Sequence, residues 1–233
     1  MATDSLEKVT KLAKSDTKRR YDDACGLAHA LELIGERWAM LIIRELTYGS
    51  KRFSELRADL PGISANVLTQ RLTELEERGL VRKLRLPPPA SVQVYEATPW
   101  ALEAAPVIGK LGKWAARSPL HDPTLPLSHA AIMMSLQTMI DPGRAQGIEG
   151  CFGFRFGETS YSAELRNGEL HVERRLADSC DVVMTTTPEG LAAVIYGGAP
   201  LESLKLEGDI DLARKFVRLF PLPEKVAWAH PSY

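Results

Sequence analysis

Between Ser64 and Gly79, Ala65, Asn66, Thr69, Gln70 and Thr73 recur at three- and four-residue spacing. In a helix that spacing gathers them on one face. Val67, Leu68, Leu72 and Leu75 occupy the complementary positions. The amides of Asn and Gln can pair bidentately with an adenine edge, and Ala or Thr methyls can touch a thymine methyl. Cations flank this face: Lys51 and Arg52 before it, Arg71 within it, and Arg82, Lys83 and Arg85 after it. Phosphate neutralisation is the main source of nucleic-acid affinity. Together with Ser64, these residues make up the candidate nucleic-acid contact set. A polar face alone is equally the solvated side of a helix bundle, so the neighbouring elements must decide.

Trp38, Leu41, Ile42 and Leu46 predict a helix over 37–48 with one apolar face, closed by Gly49. Phe53, Leu56 and Leu60 repeat the pattern in a shorter helix, stopped by Pro61-Gly62. Ser64 can cap a third helix by accepting from its free first-turn amides. Ile63 and Leu68 can staple its entry. Leu80–Arg85 and Val92–Ala97 read as two strands joined by a stiff Leu-Pro-Pro-Pro-Ala-Ser tip. Helix, turn, helix and basic hairpin together make a winged helix-turn-helix. The first turns of a recognition helix are where short base-reading side chains are needed.

Residues 21–117 resemble the HxlR-type winged helix-turn-helix family of bacterial transcription regulators, which is related to MarR-type regulators. The resemblance is carried by Gly35, Trp38, Gly49, Arg52-Phe53-x-Glu55-Leu56, Pro61-Gly62-Ile63-Ser64, Leu68-Thr69-Gln70-Arg71-Leu72, Gly79-Leu80-Val81, Pro87-Pro88-Pro89, Tyr95, Thr98-Pro99-Trp100 and Trp114. It implies a homodimer on double-stranded operator DNA. Ala24, Leu27, Leu31 and Ile34 place one apolar face on a helix over 22–35. Trp100, Ala104, Val107, Ile108, Leu111 and Trp114 do so over 99–117, where Pro106 must kink or restart the helix. Those two helices are the expected self-interface. Cys25, near the position where electrophile- and oxidant-sensing members carry a thiol, is a possible redox site by the same resemblance. A structural cysteine is the alternative.

Charge is divided along the chain. Residues 1–120 hold 19 Lys and Arg against 15 Asp and Glu, and residues 121–233 hold 10 against 15. The basic half is therefore the half with the DNA-reading pattern. Cys25, Cys151 and Cys180 lack Cys-x-x-Cys spacing and do not suggest a secreted disulfide framework. No apolar run approaches membrane-spanning length, and the first residues lack a signal-peptide core. These features lead to the expectation of a cytoplasmic protein with no membrane partner. Residues 1–20 read as an N-terminal arm, and 118–126, with three prolines, as a semi-rigid linker.

The fold class expected is α+β: the winged domain at 21–117, then an α+β domain at 127–233 with an antiparallel sheet and packed helices. Gly150–Phe156 alternates with Phe152, Phe154 and Phe156 on one face, and Asn167-Gly168 marks a hairpin. Asp181–Gly198 and Leu206–Phe220 resemble a sterol-carrier-protein-like domain. That resemblance implies an apolar tunnel, with Met133, Met134, Phe152, Phe154, Met184, Val194, Ile195, Phe216 and Phe220 as candidate ligand contacts. Each of these is equally a core residue.

The five His residues are scattered, and no metal-ligand spacing, phosphate-binding glycine loop or nucleophile elbow occurs. The reading is not an enzyme and needs no cofactor or metal. It is a DNA-binding regulator, expected to act as a repressor and to be modulated by a small apolar effector. The alternatives are a redox regulator acting through Cys25 with a structural C-terminal domain, and a lipid or acyl carrier with a dimerising winged domain.

Overall fold

The computed structural model describes residues 21–227. The expected N-terminal arm, residues 1–20, lies outside the described residues.

In the first half, α1 (Gly26–Ile34), α2 (Ala39–Leu46), α3 (Phe53–Asp59) and α4 (Ala65–Glu77) lead into the hairpin of β1 (Val81–Arg85) and β2 (Gln93–Ala97). The apolar stripes read above converge. Ile42, Ile43 and Leu46 of α2, Leu56 of α3 with Leu60 just beyond it, and Leu68, Leu72 and Leu75 of α4 are fully buried in one core. Ser64 caps α4, its Oγ accepting from the Val67 amide at 3.3 Å. Gly49, Gly62 and Gly79 take the positive φ that a side chain would resist, at 129°, 88° and 72°. The hairpin is antiparallel, from Val81 opposite Ala97 to Arg85 opposite Gln93. Thr98 caps α5 (Pro99–Glu103), and α6 (Ala105–Ala115) restarts with Pro106 in its first turn. A proline there loses no helical hydrogen bond, which is why the chain restarts at this point.

In the second half, α7 (His129–Met139) precedes β3 (Gly150–Phe156), β4 (Thr159–Arg166), β5 (Glu169–Glu173), β6 (Val182–Thr185), α8 (Pro188–Ile195), β7 (Lys205–Gly208) and α9 (Ile210–Phe216). The strand order is β5-β4-β3-β6-β7. The expectation of an antiparallel sheet is corrected here, because β6 runs parallel to β3. The segment 174–181 leaves β5 at one edge and enters β6 on the far side of β3. It crosses close to the sheet: a Cβ on Gly153 would meet the Ala177 Cβ at 2.7 Å. Cys151 and Cys180, with Cα atoms 4.7 Å apart, are disulfide-bonded across the same crossing. That is one bond, between residues 29 apart, a separation that no local cysteine spacing signals. Lys205–Gly208 adds an antiparallel edge strand to β6.

The halves are joined by more than the linker. Glu45 of α2 is fully buried. It accepts from Lys51 Nζ at 2.7 Å and from the Ser128 hydroxyl at 2.6 Å. Ser128 in turn caps α7, accepting from the Ala131 amide at 3.1 Å. Tyr48 donates to Gln137 of α7, and its ring meets Tyr161 edge-on at 5.7 Å. Helices α6 and α7 approach so closely that a Cβ on Gly109 would fall 2.3 Å from Thr138 Oγ1. Segment 221–227 returns to the linker, where the Val226 amide donates to the Arg117 carbonyl at 2.9 Å and Lys225 Nζ to that of Ser118 at 3.0 Å.

Two outcomes follow from this junction. Glu45→Ala strands the buried Lys51 cation beside Asp59 alone and costs about 3 kcal/mol or more in urea unfolding. His129 stacks on Phe156 at 5.2 Å. Burial holds its pKa below the ordinary 6.5, the positive charge of Lys51 adds to this, and Asp59 and Glu45 oppose it. The native state therefore favours the neutral ring. The stability His129 contributes is present above its unfolded value and is lost as pH falls through the folded one. In His129→Gln that part of the pH slope in thermal unfolding disappears.

Candidate nucleic-acid interface

The face of α4 opposite Leu68, Leu72 and Leu75 carries Asn66, Thr69, Gln70 and Thr73, all exposed. Ala65 is half-buried and Ser64 is exposed at the cap. The polar stripe is thus placed as its periodicity requires, because the apolar positions are taken up by the core. Thr69 Oγ1 donates to the Ala65 carbonyl at 2.9 Å, which leaves its methyl outward. Gln70 Nε2 donates to Glu74 Oε1 at 3.1 Å. Since this pair is exposed, water or another acceptor can replace Glu74 at small cost. Glu74, Glu76 and Glu77 gather toward the C-terminal end of α4. Only the first half of the helix is therefore free of negative charge.

Cations border this face unevenly. Arg52, Lys83 and Arg85 are exposed. Arg52 holds the N-cap position of α3, where its amide donates to Glu55 Oε2 at 2.5 Å. Arg82 is exposed but its Nε is bound to Glu96 Oε2 across the hairpin at 2.7 Å. Arg57, absent from the sequence-derived set, is exposed on the same short helix as Phe53 and Leu56. Its i+1 offset from buried Leu56 was the available signal.

Two residues of the expected set are elsewhere. Lys51 is 5% exposed, and its ammonium lies 2.7 Å from both Glu45 and Asp59 carboxylate oxygens. Its backbone pairs with Tyr95 of β2, which turns the side chain into the domain. Arg71 is 6% exposed and ion-paired with Glu36 at 3.1 Å and Glu74 at 2.7 Å. Position 71 is three residues from Leu68 and four from Leu75, so its place beside the buried stripe was legible. Its charge had outweighed its spacing.

The expected apolar contacts of the second half lie in a closed core. Phe152, Phe154, Met133, Met184 and Phe216 are fully buried, and Met134, Val194, Ile195 and Phe220 nearly so. Phe152 stacks on Phe216 at 4.0 Å between ring centroids, and Phe220 meets Phe216 edge-on at 4.9 Å. These rings pack on one another within the buried cluster where the resemblance implied a tunnel. The two concavities described below are lined by other residues. Among the described residues no group of three His, Cys, Asp or Glu could hold a metal ion. No helix among them is long and apolar enough to cross a membrane.

The family model for the HxlR-like helix-turn-helix matches residues 33–121. The uncharacterised HTH-type transcriptional regulator YvaP of Bacillus subtilis is 40% identical over 86 residues, which span 37% of this chain and 80% of YvaP. The chain belongs to the HxlR-like helix-turn-helix family. The HTH-type transcriptional regulator YodB of the same organism is 36% identical over 86 residues, 37% of this chain and 77% of YodB. A solved structure of quinone-bound YodB aligns at 32% identity and a TM-score of 0.34, covering 38% of this chain and 93% of that one. As an HxlR-family member the chain is a helix-turn-helix transcriptional regulator, and the family match ends within the 118–126 linker.

The two faces of α4 give opposite expectations on substitution. Arg71→Ala removes a buried cation from two carboxylates and lowers unfolding stability by about 1–3 kcal/mol. Gln70→Ala, on the exposed face, changes it by no more than about 0.5 kcal/mol. Urea unfolding of the two variants checks the pair.

Proposed function

We propose that the chain is a cytoplasmic, homodimeric regulator that reads a pseudo-palindromic operator through α4 and grips its backbone through Arg52 and the wing. The observation that carries this reading is the Asn66–Thr69–Gln70–Thr73 stripe, exposed, short and uncharged at the start of a helix whose other face is core. Lys83 and Arg85 on β1 supply phosphate contacts, and Arg82 joins them once Glu96 is displaced.

A dimer is supported by the apolar surface left outside both cores. Leu27 and Leu31 of α1, Trp100 of α5, and Val107, Leu111 and Trp114 of α6 are exposed, Trp114 by 69%. Helix α7 covers only the Gly109 side of α6. Large apolar patches of this kind mark interfaces. A two-fold pairing along these helices sets the two α4 helices about one DNA turn apart.

Small-molecule modulation remains part of the proposal, with its site moved out of the packed aromatic core. A thiol-switch reading is favoured by one observation, that Cys25 is free and exposed at the start of α1. Modification there would add bulk beside Leu27 in the proposed dimer face.

Selection of genomic fragments on the purified full chain tests the reading. A two-fold symmetric motif beside promoters is the expected result, and no enrichment over bulk DNA at moderate salt contradicts it. On the selected site, Arg52→Ala weakens binding of all sequences alike, whereas Gln70→Ala costs about 1–3 kcal/mol and relaxes preference at one base pair. Uniform loss for Gln70→Ala would remove it from base reading.

A further inference from the structure

Among the described residues of the acidic half, several cations gather without matching carboxylates on the side of α9. On the outer face of the sheet, Arg155, Arg166, Arg175 and Lys205 all sit on carboxylates, as in Arg155 with Asp178 and Glu207 at 2.6 and 2.9 Å. On the side of α9, Arg144, Arg214, Lys215 and Arg218 rim an open depression of about 670 Å³ whose apolar lining is Ile148 and Leu219. Arg214 is paired with Asp211 at 2.8 Å. The Arg144 guanidinium lies 3.8 Å from the Asp141 carboxylate, whose other oxygen accepts from the Arg144 amide at 3.2 Å, and it donates to the Arg218 carbonyl at 3.2 Å. The Lys215 ammonium and the Arg218 guanidinium have no partner among the described residues.

Arg214 and Lys215 also lie in the last turn of α9, where cations are favoured by the helix dipole. That accounts for two of the four. It does not account for Arg144, which comes from the turn after α7, or for Arg218, which lies beyond the helix end. Four cations and two carboxylates at one exposed rim leave an excess of positive charge that attracts anions. Guanidinium groups match oxyanions by paired, charge-assisted N–H bonds. The volume is that of a small-molecule site, and buried Leu219 with half-buried Ile148 provides apolar contact. The neighbouring depression, about 280 Å³, contains Glu149 and no cation, so it suits an anion poorly.

We propose that this depression binds a soluble phosphate monoester carrying a small apolar group, the phosphate held by Lys215, Arg218 and Arg144 and the apolar group lying on Ile148 and Leu219. The assignment is independent of the operator-reading proposal, since it concerns residues far along the chain from the winged domain.

Calorimetric titration of the full-length protein at low ionic strength tests it, with hexyl phosphate, inorganic phosphate and hexanol as probes. Saturable one-to-one binding of hexyl phosphate is expected, tighter than that of inorganic phosphate, with none for hexanol. The double variant Lys215→Gln/Arg218→Gln should weaken it at least about tenfold, while Arg166→Gln, on the outer sheet face, leaves it unchanged. Circular dichroism of both variants shows whether the fold is retained. No saturable binding, or equal binding by the double variant, overturns the proposal. So does a loss of affinity for bulk duplex DNA in the double variant, which would assign these cations to the DNA backbone.

Discussion

Lys51 is a buried ammonium held between Glu45 and Asp59, and the arrangement of the rest of the molecule depends on it. Its side chain ties α2 to the end of α3, and its backbone bonds to Tyr95 and so to the wing. The same Glu45 receives the Ser128 hydroxyl, at the point where the second half begins its first helix. The buried cluster of Lys51, Glu45 and Asp59 thus connects the helix-turn-helix and the hairpin, and its Glu45 reaches the second half. A buried pair of this kind adds little net stability over an apolar substitute, because desolvation offsets the attraction. What it adds is directional: the carboxylates must be present and must point at one atom.

Much of the winged half is legible in the sequence because its signals are local. The cap at Ser64, glycines at helix ends and apolar spacing each act within a few residues, and each is found where the pattern puts it. What residue type alone does not resolve is the destination of a charge. Lys51 and Arg71 looked like phosphate contacts by residue type, yet both are consumed by carboxylates inside the domain. Their partners, Glu45 and Glu36, are distant in sequence or lie on apolar helices. The hydroxyl of Ser128 was readable as a cap, but its second bond, 83 residues back to Glu45, was not.

The second half shows the same divide. The alternation in β3 and the Asn167-Gly168 turn dictate a hairpin that is present. The parallel pairing of β3 with β6 depends on Gly153 admitting Ala177 across the sheet, a contact no periodicity encodes. Whether aromatic residues line a tunnel or fill it is a question of volume. Phe152, Phe154 and Phe216 stack on one another and leave the candidate ligand contacts as core.

In the proposed complex α4 and the wing face DNA while α1, α5 and α6 pair two chains. The most direct test is hydroxyl-radical footprinting of the full-length protein on a selected genomic site. The account predicts two protected blocks related by two-fold symmetry, their centres about ten base pairs apart or a multiple of that. A single asymmetric block, or no protection where binding is otherwise saturated, would contradict it.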